Sequence, residues 1–250
     1  GQSYLSKSYR AESAQARQLA HQVADDIIFA ITGRKGMNSG RLVVVGNASG
    51  SKELYLCDPD GQNLLQLTRD KNTSVGPKWG PDGRQIVYTS YLKRFPDLYL
   101  IDIKSGQRSR VASYPGLNTG GDISPDGRDM ALILSKDGNP ELYIKNLASG
   151  QLTRLTRTER AAEASPSWSP DGQRIVYVSD SSGSPQLYII SRGSSQPRRL
   201  TSRGSQNVAP DWGANGLIAF ASLLGGRFQV CVINPESMEL KQVSPGDADY

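Results

Sequence analysis

Histidine is almost missing from this chain: His21 is the single copy in 250 residues. Metal centres and Ser-His-Asp or Cys-His machinery usually place histidine in a cleft, so the available enzyme chemistries are narrow from the start. Cysteine is nearly as scarce. Cys57 and Cys231 are too few for a disulfide framework and leave the redox compartment open. Long apolar runs are missing too. A run such as Leu42-Val43-Val44-Val45 has the length of a strand, and none approaches about 18 residues, so no membrane span is expected. Charges of one sign never form a block. The net charge of +5 comes from 29 basic and 24 acidic residues scattered along the chain. The opening Gly1-Gln2-Ser3-Tyr4 resembles neither a signal peptide nor an initiation site, so any export signal is expected to have been removed or to lie outside this chain.

Turn residues are plentiful, with 26 Gly and 14 Pro, and they recur at a fixed interval. Trp79-Gly80-Pro81-Asp82-Gly83 returns as Ile123-Ser124-Pro125-Asp126-Gly127 and as Trp168-Ser169-Pro170-Asp171-Gly172. A decayed copy is Trp212-Gly213-Ala214-Asn215-Gly216. The lead positions 79, 123, 168 and 212 are spaced by 44, 45 and 44 residues. A second string holds the same period: Leu54-Tyr55, Leu98-Tyr99, Leu142-Tyr143, Leu187-Tyr188 and Val230-Cys231. A third reads Leu67-Thr68, Val111-Ala112, Leu155-Thr156, Leu200-Thr201 and Val243-Ser244. A period of this length with several anchors per copy is the mark of a repeat architecture.

Each repeat reads as four short antiparallel strands. The first carries the Trp and ends at the Pro-Asp-Gly turn, where Pro presets φ, Asp bonds the following backbone and Gly supplies positive φ. The second alternates, as in Ile175-Val176-Tyr177-Val178. The third holds Leu-Tyr and runs into Asp60-Gly61, Ser105-Gly106 or Ser149-Gly150. The fourth is expected to end at Leu-Thr. The predicted class is therefore all-β: a β-propeller of four-stranded blades over residues 41–250, with the recurring Trp and Tyr packed between blades. Residues 41–68 supply only three strands and four complete repeats follow, nineteen strands in all. The chain is expected to be a piece of a longer propeller rather than an imperfectly closed five-bladed ring, because an open sheet edge invites aggregation.

Residues 1–40 stand outside the repeat. Gln2 to Tyr9 is expected as one strand. Apolar residues at Ala16, Leu19, Ala20, Val23, Ala24, Ile27, Ile28 and Ile31 predict a helix from about Ala11 to Thr32, closed by Gly33. A strand and a helix cannot form a domain, so the segment reads as the last piece of an α/β domain.

These motifs carry a resemblance. The Trp-Ser-Pro-Asp-Gly repeat resembles the WD40-like PD40 repeat, which also occurs in prolyl-oligopeptidase-type propellers. The junction His21-Gln22-Val23-Ala24-Asp25-Asp26-Ile27-Ile28, then Thr32-Gly33, Lys35-Gly36 and Arg41-Leu42-Val43-Val44-Val45, resembles the TolB family of the periplasmic Tol–Pal system. So do Ala112-Ser113-Tyr114-Pro115, Leu134-Ser135-Lys136, Leu147-Ala148-Ser149-Gly150-Gln151 and the loop Gly204-Ser205-Gln206-Asn207. The resemblance implies a six-bladed propeller, of which five repeats are here, after an N-terminal α/β domain, of which residues 1–40 would be the C-terminal remnant. It implies a non-enzymatic scaffold in the periplasm, serving envelope integrity, cell division and protein transport. Its partner would be a Pal-like peptidoglycan-associated lipoprotein bound around the central channel, with other Tol proteins engaging N-terminal parts that are not in this chain.

In this sequence the channel-entry loops would precede each Trp strand. The residues expected to meet a partner are Ser74, Val75, Leu117, Asn118, Thr119, Glu163, Ala164, Gln206 and Asn207. They vary between repeats, which suits asymmetric recognition. Leu117 stands where the family often has a polar residue, so the partner surface is expected to differ there.

The alternative is a propeller related to the prolyl-oligopeptidase (S9) peptidases that gates access to a catalytic domain. No Gly-x-Ser-x-Gly elbow is present, no hydrolase domain fits in the remaining length, and no catalytic residue is assigned. Asp82, Asp126 and Asp171 are one per blade and cannot act as a pair. Asp58-Pro59-Asp60-Gly61 lacks the further carboxylates of a calcium loop and reads as a turn, so neither metal nor cofactor is expected. Arg108, Arg110, Arg154, Arg198, Arg199 and Lys241 recur on the fourth strand, where charge guards an exposed edge, so no nucleic-acid partner is expected.

Overall fold

The computed structural model describes residues 4–246, 248 and 249. Among them run nineteen strands, one α-helix and one 3-10 turn. The chain divides into two compact units, residues 1–71 and 72–250.

The first unit holds helix α1 (Ala16–Thr32) and a three-stranded sheet of β1 (Leu42–Gly46), β2 (Glu53–Cys57) and β3 (Leu65–Gln66). The helix ends as its sequence predicts. Gly33 takes the left-handed conformation at φ 67° and its N–H donates to the Phe29 carbonyl at 2.8 Å. The strand expected over Gln2–Tyr9 does not form across residues 4–9, while Gln2 and Ser3 lie outside the described residues. That segment is instead pinned by side chains: Lys7 Nζ and the Tyr9 hydroxyl both donate to Asp26, at 2.6 and 2.7 Å. Asp25 holds the chain after the helix, accepting the backbone N–H groups of Asn38 and Ser39 at 2.7 and 2.8 Å. The Ser39 hydroxyl and those amides hold its carboxyl far below the usual carboxylate range. The apolar stripe of α1 does not make a core here. None of its residues is buried, and Ile31 is 67 % exposed.

The second unit is four four-stranded antiparallel sheets. They are β4 (Ser74–Trp79), β5 (Gln85–Ser90), β6 (Asp97–Asp102) and β7 (Arg108–Ala112); β8 (Asn118–Ile123), β9 (Asp129–Leu134), β10 (Glu141–Asn146) and β11 (Leu152–Arg154); β12 (Glu163–Trp168), β13 (Arg174–Ser179), β14 (Gln186–Ser191) and β15 (Arg198–Arg199); β16 (Asn207–Trp212), β17 (Ile218–Leu224), β18 (Arg227–Ile233) and β19 (Leu240–Gln242). With the first sheet they make the five repeats of a β-propeller.

The hydrophobic cores lie between blades. Trp168 sits with Ile175 and Tyr177 of its own blade against Ala131, Ile133, Leu142 and Leu155 of the preceding one. Trp212 packs in the same way against Val176, Leu187 and Leu200, and Ile123 against Val87 and Leu98. The turns behave as their residues dictate. Asp82, Asp126 and Asp171 each accept the N–H two residues on, at 2.9, 3.1 and 2.9 Å. Gly83, Gly127 and Gly172 follow at φ 63°, 73° and 67°.

The fourth strand differs from expectation. Apart from β7, which includes Val111-Ala112, it stops before the Leu-Thr pair. The threonine instead turns its hydroxyl onto the third strand. Thr68, Thr156 and Thr201 accept the N–H of Leu54, Leu142 and Leu187 at 2.9, 2.8 and 3.0 Å. Ser244 does the same for Val230 at 3.1 Å. The hydroxyl ends the ladder by standing in for a strand carbonyl. Ala112 has none, and there the ladder runs on to pair Leu98 with Ala112.

Candidate functional site

The first strands β4, β8, β12 and β16 converge. Lys78 Nζ on β4 lies 3.1 Å from Asp211 Oδ1 on β16 and 3.4 Å from the Pro166 carbonyl on β12. The residue just before each lead Trp or Ile therefore faces a common axis: Lys78, Asp122, Ser167 and Asp211. Two of them also bind blade to blade. Asp122 accepts the Trp168 N–H at 2.7 Å, and the Ser167 hydroxyl accepts the Trp212 N–H at 3.1 Å. Burial pushes the Asp122 carboxyl up while Lys78 pulls it back down.

Every one of these strands carries a bulge, between Val75 and Lys78, Thr119 and Asp122, Ala164 and Ser167, and Val208 and Asp211. The inserted pairs are Gly76-Pro77, Gly120-Gly121, Ser165-Pro166 and Ala209-Pro210. The first residue of each has positive φ, at 60°, 66°, 48° and 51°. Proline fits a bulge because no ladder bond is asked of its nitrogen. This is why the segments expected as entry loops are the opening turns of bulged strands.

The nine expected partner residues consequently separate into two groups. Ser74, Asn118, Glu163 and Asn207 start the four strands and are buried. Asn118 and Asn207 are structural. Asn118 Oδ1 accepts the Tyr114 N–H at 2.7 Å, and its amide donates to the carbonyls of Pro96, Tyr114 and Gly116. Asn207 donates to Gln186 Oε1 at 2.8 Å and to the Arg203 carbonyl at 2.7 Å. Glu163 occupies the same position one blade earlier and faces Glu141. Among the described residues, both of its carboxylate oxygens lack a hydrogen-bond partner, as does Glu141 Oε2. Burial, with the charges of Glu141 and Asp180 added, pushes Glu163 up to about 7; the Ser179 hydroxyl, outside hydrogen-bonding geometry, offsets only part of this. Val75, Leu117, Thr119, Ala164 and Gln206 form the second group. They are half-buried and ring the end at which the strands begin. Thr119 reaches the neighbouring blade, its hydroxyl 3.0 Å from that of Thr89.

In the first unit His21 Nε2 lies 3.6 Å from Asp60 Oδ2, and His21, Asp58 and Asp60 offer ligand atoms within 4.8 Å of one another. Arg17 bonds both carboxylates. The cysteines Cys57 and Cys231 are buried free thiols. No helix among the described residues is long and apolar enough to cross a membrane. The basic residues of the fourth strands sit on sheet edges, and two pair with carboxylates of their own blades: Arg110 with Asp97 and Arg154 with Glu141, at 3.2 and 3.1 Å.

Residues 29–250 match the PD40 family described as the TolB beta propeller domain. The TolB homolog of Chlorobaculum tepidum is 36 % identical over 111 residues, covering 44 % of this chain and 26 % of that protein. The Tol-Pal system protein TolB of Chromobacterium violaceum is 39 % identical over 102 residues, covering 41 % and 24 %. These alignments thus span about a quarter of each curated relative. The crystal structure of TolB from Acinetobacter baumannii superposes with a TM-score of 0.87 at 30 % identity, over 98 % of this chain and 63 % of that one. A puromycin hydrolase shares the fold at 18 % identity and TM-score 0.58. On the match across residues 29–250, the chain belongs to the TolB β-propeller family.

Proposed function

We propose that this chain is the docking part of a periplasmic Tol–Pal protein, a non-enzymatic scaffold that binds a Pal-like lipoprotein at the mouth where its first strands begin. The observation that supports the reading most is the second group of residues. Val75, Leu117, Thr119, Ala164 and Gln206 differ in chemistry, come from four blades and gather at one end of the converging strands. A rigid bulged strand beneath each one fixes its position, which lowers the ordering cost of binding. Relatives named as Tol-Pal system proteins support the system, and the likeness to TolB from Acinetobacter baumannii supports the protein type. Other Tol proteins would engage parts beyond residues 1–250. The peptidase-like gating role draws only on a shared fold, since the hydrolase likeness is at 18 % identity.

Calorimetric titration of the periplasmic domain of a Pal-like lipoprotein into this chain tests the reading. Saturable binding is expected, and it should weaken when Thr119 and Gln206 are both changed to Arg. Binding that ignores the double change, or no binding to the folded chain, overturns it. Asn118 and Asn207 are unsuitable for this test, because their buried amides hold the strand starts together.

A further inference from the structure

The turns between second and third strands follow one rule in two blades and break it in another. Gly138 and Gly183 have φ 123° and 93° and donate N–H to Ser135 and Asp180, three residues back, at 3.1 and 2.8 Å. In the β5–β6 turn the same bond runs from Arg94 to Tyr91 at 2.8 Å, so Arg94 takes the glycine's place at φ 74°. An arginine in that conformation is strained. The next position is Asn139 or Ser184 in the other blades, and Asn139 bonds Glu141, Thr158 and the Ala161 carbonyl. Here it is Phe95, which is 71 % exposed.

Beside Phe95 lies a cavity of about 460 Å³ lined by Lys93, Asp97, Arg110, Tyr114, Pro115 and Gly116. Its charge is one-sided. Asp97 is taken up by Arg110 at 3.2 Å, whereas the exposed side chains of Lys93 and Arg94 meet no partner among the described residues. A further cation, Lys145, sits 5.5 Å from the centre of the Tyr114 ring. The register pairs Ser74 with Ser90, so this turn stands at the strand-start end of its blade.

We infer that the β5–β6 tip, with Phe95 and Tyr114 flanked by Lys93, Arg94 and Arg110, is a docking pocket for an acidic peptide segment that carries an aromatic side chain. The aromatic residue would sit in the cavity against Phe95 and Tyr114. The carboxylates would meet the two unpaired cations, where opposite charge adds both affinity and a salt dependence. The side chains of the exposed aromatic and the strained arginine make no bond among the described residues, and the glycine-containing turns show that the fold closes without them. The pocket requires neither a Pal-like partner nor the residues at the strand mouth, so it stands or falls separately.

The probe is the peptide fluorescein-Gly-Asp-Glu-Phe-Glu-Asp-amide, labelled at its N-terminus and followed by fluorescence anisotropy with the whole chain. Two control peptides replace Phe by Ala or every acid by Lys. The key variant is Arg94→Gly with Phe95→Asn, which installs the turn of the neighbouring blade. The expected results are saturable binding to the wild type, about tenfold weaker binding by the variant and by the Ala peptide, and none by the Lys peptide. Binding should also fall several-fold between about 50 and about 300 mM salt. The variant should show an unchanged or higher thermal midpoint, which separates lost binding from lost folding. Absence of wild-type binding, equal binding by the variant, or equal binding of the Lys peptide would each overturn the inference.

Discussion

Lys78 Nζ on the first strand of one blade lies 3.1 Å from Asp211 Oδ1 on the first strand of another, three blades away. The same ammonium pulls down the buried Asp122 carboxyl. One cation therefore serves two acids that would otherwise repel each other at the axis. Lys78→Met should destabilise the fold at neutral pH by roughly 1–3 kcal/mol, between the values for an exposed and a buried pair. Without Lys78 the Asp122 carboxyl titrates higher still, so the loss should shrink as acid neutralises it. Urea melts at about pH 7 and about pH 4 check this; equal losses at both would contradict it.

Glu163 faces Glu141 where the next blade pairs Asn207 with Gln186 through a 2.8 Å hydrogen bond. Its carboxyl rises from the ordinary 4.5 to about 7, first through burial. The sign follows: a raised carboxyl favours the folded state while protonated, and that benefit is lost as pH rises through about 7. Glu163→Gln restores an amide beside Glu141. It should leave stability near pH 4 unchanged and add up to roughly 3 kcal/mol above about pH 8. A gain that is the same at both values would show that charge is not the cause.

The hydroxyl of Thr156 closes blade three by accepting the Leu142 N–H at 2.8 Å. Thr156→Val keeps the shape and orphans a buried donor. The expected cost is about 1–3 kcal/mol, read from chemical denaturation, with the Leu142 amide exchanging faster in deuterium. The serine variant, which keeps the acceptor, should retain most of that stability.

Ser165 and Ala209 hold positive φ at bulges where two other blades use Gly76 and Gly120. Ser165→Gly and Ala209→Gly should therefore each stabilise, by roughly 0.5–1 kcal/mol after the entropy of the added glycine freedom. Thermal melts decide the sign. A loss at both positions would mean that the bulges carry no strain.

Much of this fold could be read from the chain because its turns are chemically forced. Pro-Asp-Gly specifies a turn through a fixed φ, a short acceptor and a free positive φ, so the blade period and the strand count followed from residue types alone. The strand starts were harder. Gly76-Pro77 and Ser165-Pro166 look like loop punctuation, yet they sit inside strands as bulges. Local chemistry cannot tell a bulge from a loop, because both release the backbone from the ladder. Hence Asn118, Glu163 and Asn207 read as accessible when they are buried. The axial set Lys78, Asp122, Ser167 and Asp211 is not legible in the sequence. Its signal was present one residue before each lead position, but opposite charges in equivalent positions make sense only once the strands converge.

The central claim is that the strand-start end of the converging blades receives a protein partner. Hydrogen–deuterium exchange of the chain, alone and with the periplasmic domain of a Pal-like lipoprotein, tests it most directly. Slowed exchange is expected at residues 73–76, 117–120, 162–165 and 205–208, with the Pro-Asp-Gly turns unchanged. Slowed exchange confined to those turns around Asp82, Asp126 and Asp171, or no change anywhere, would contradict it.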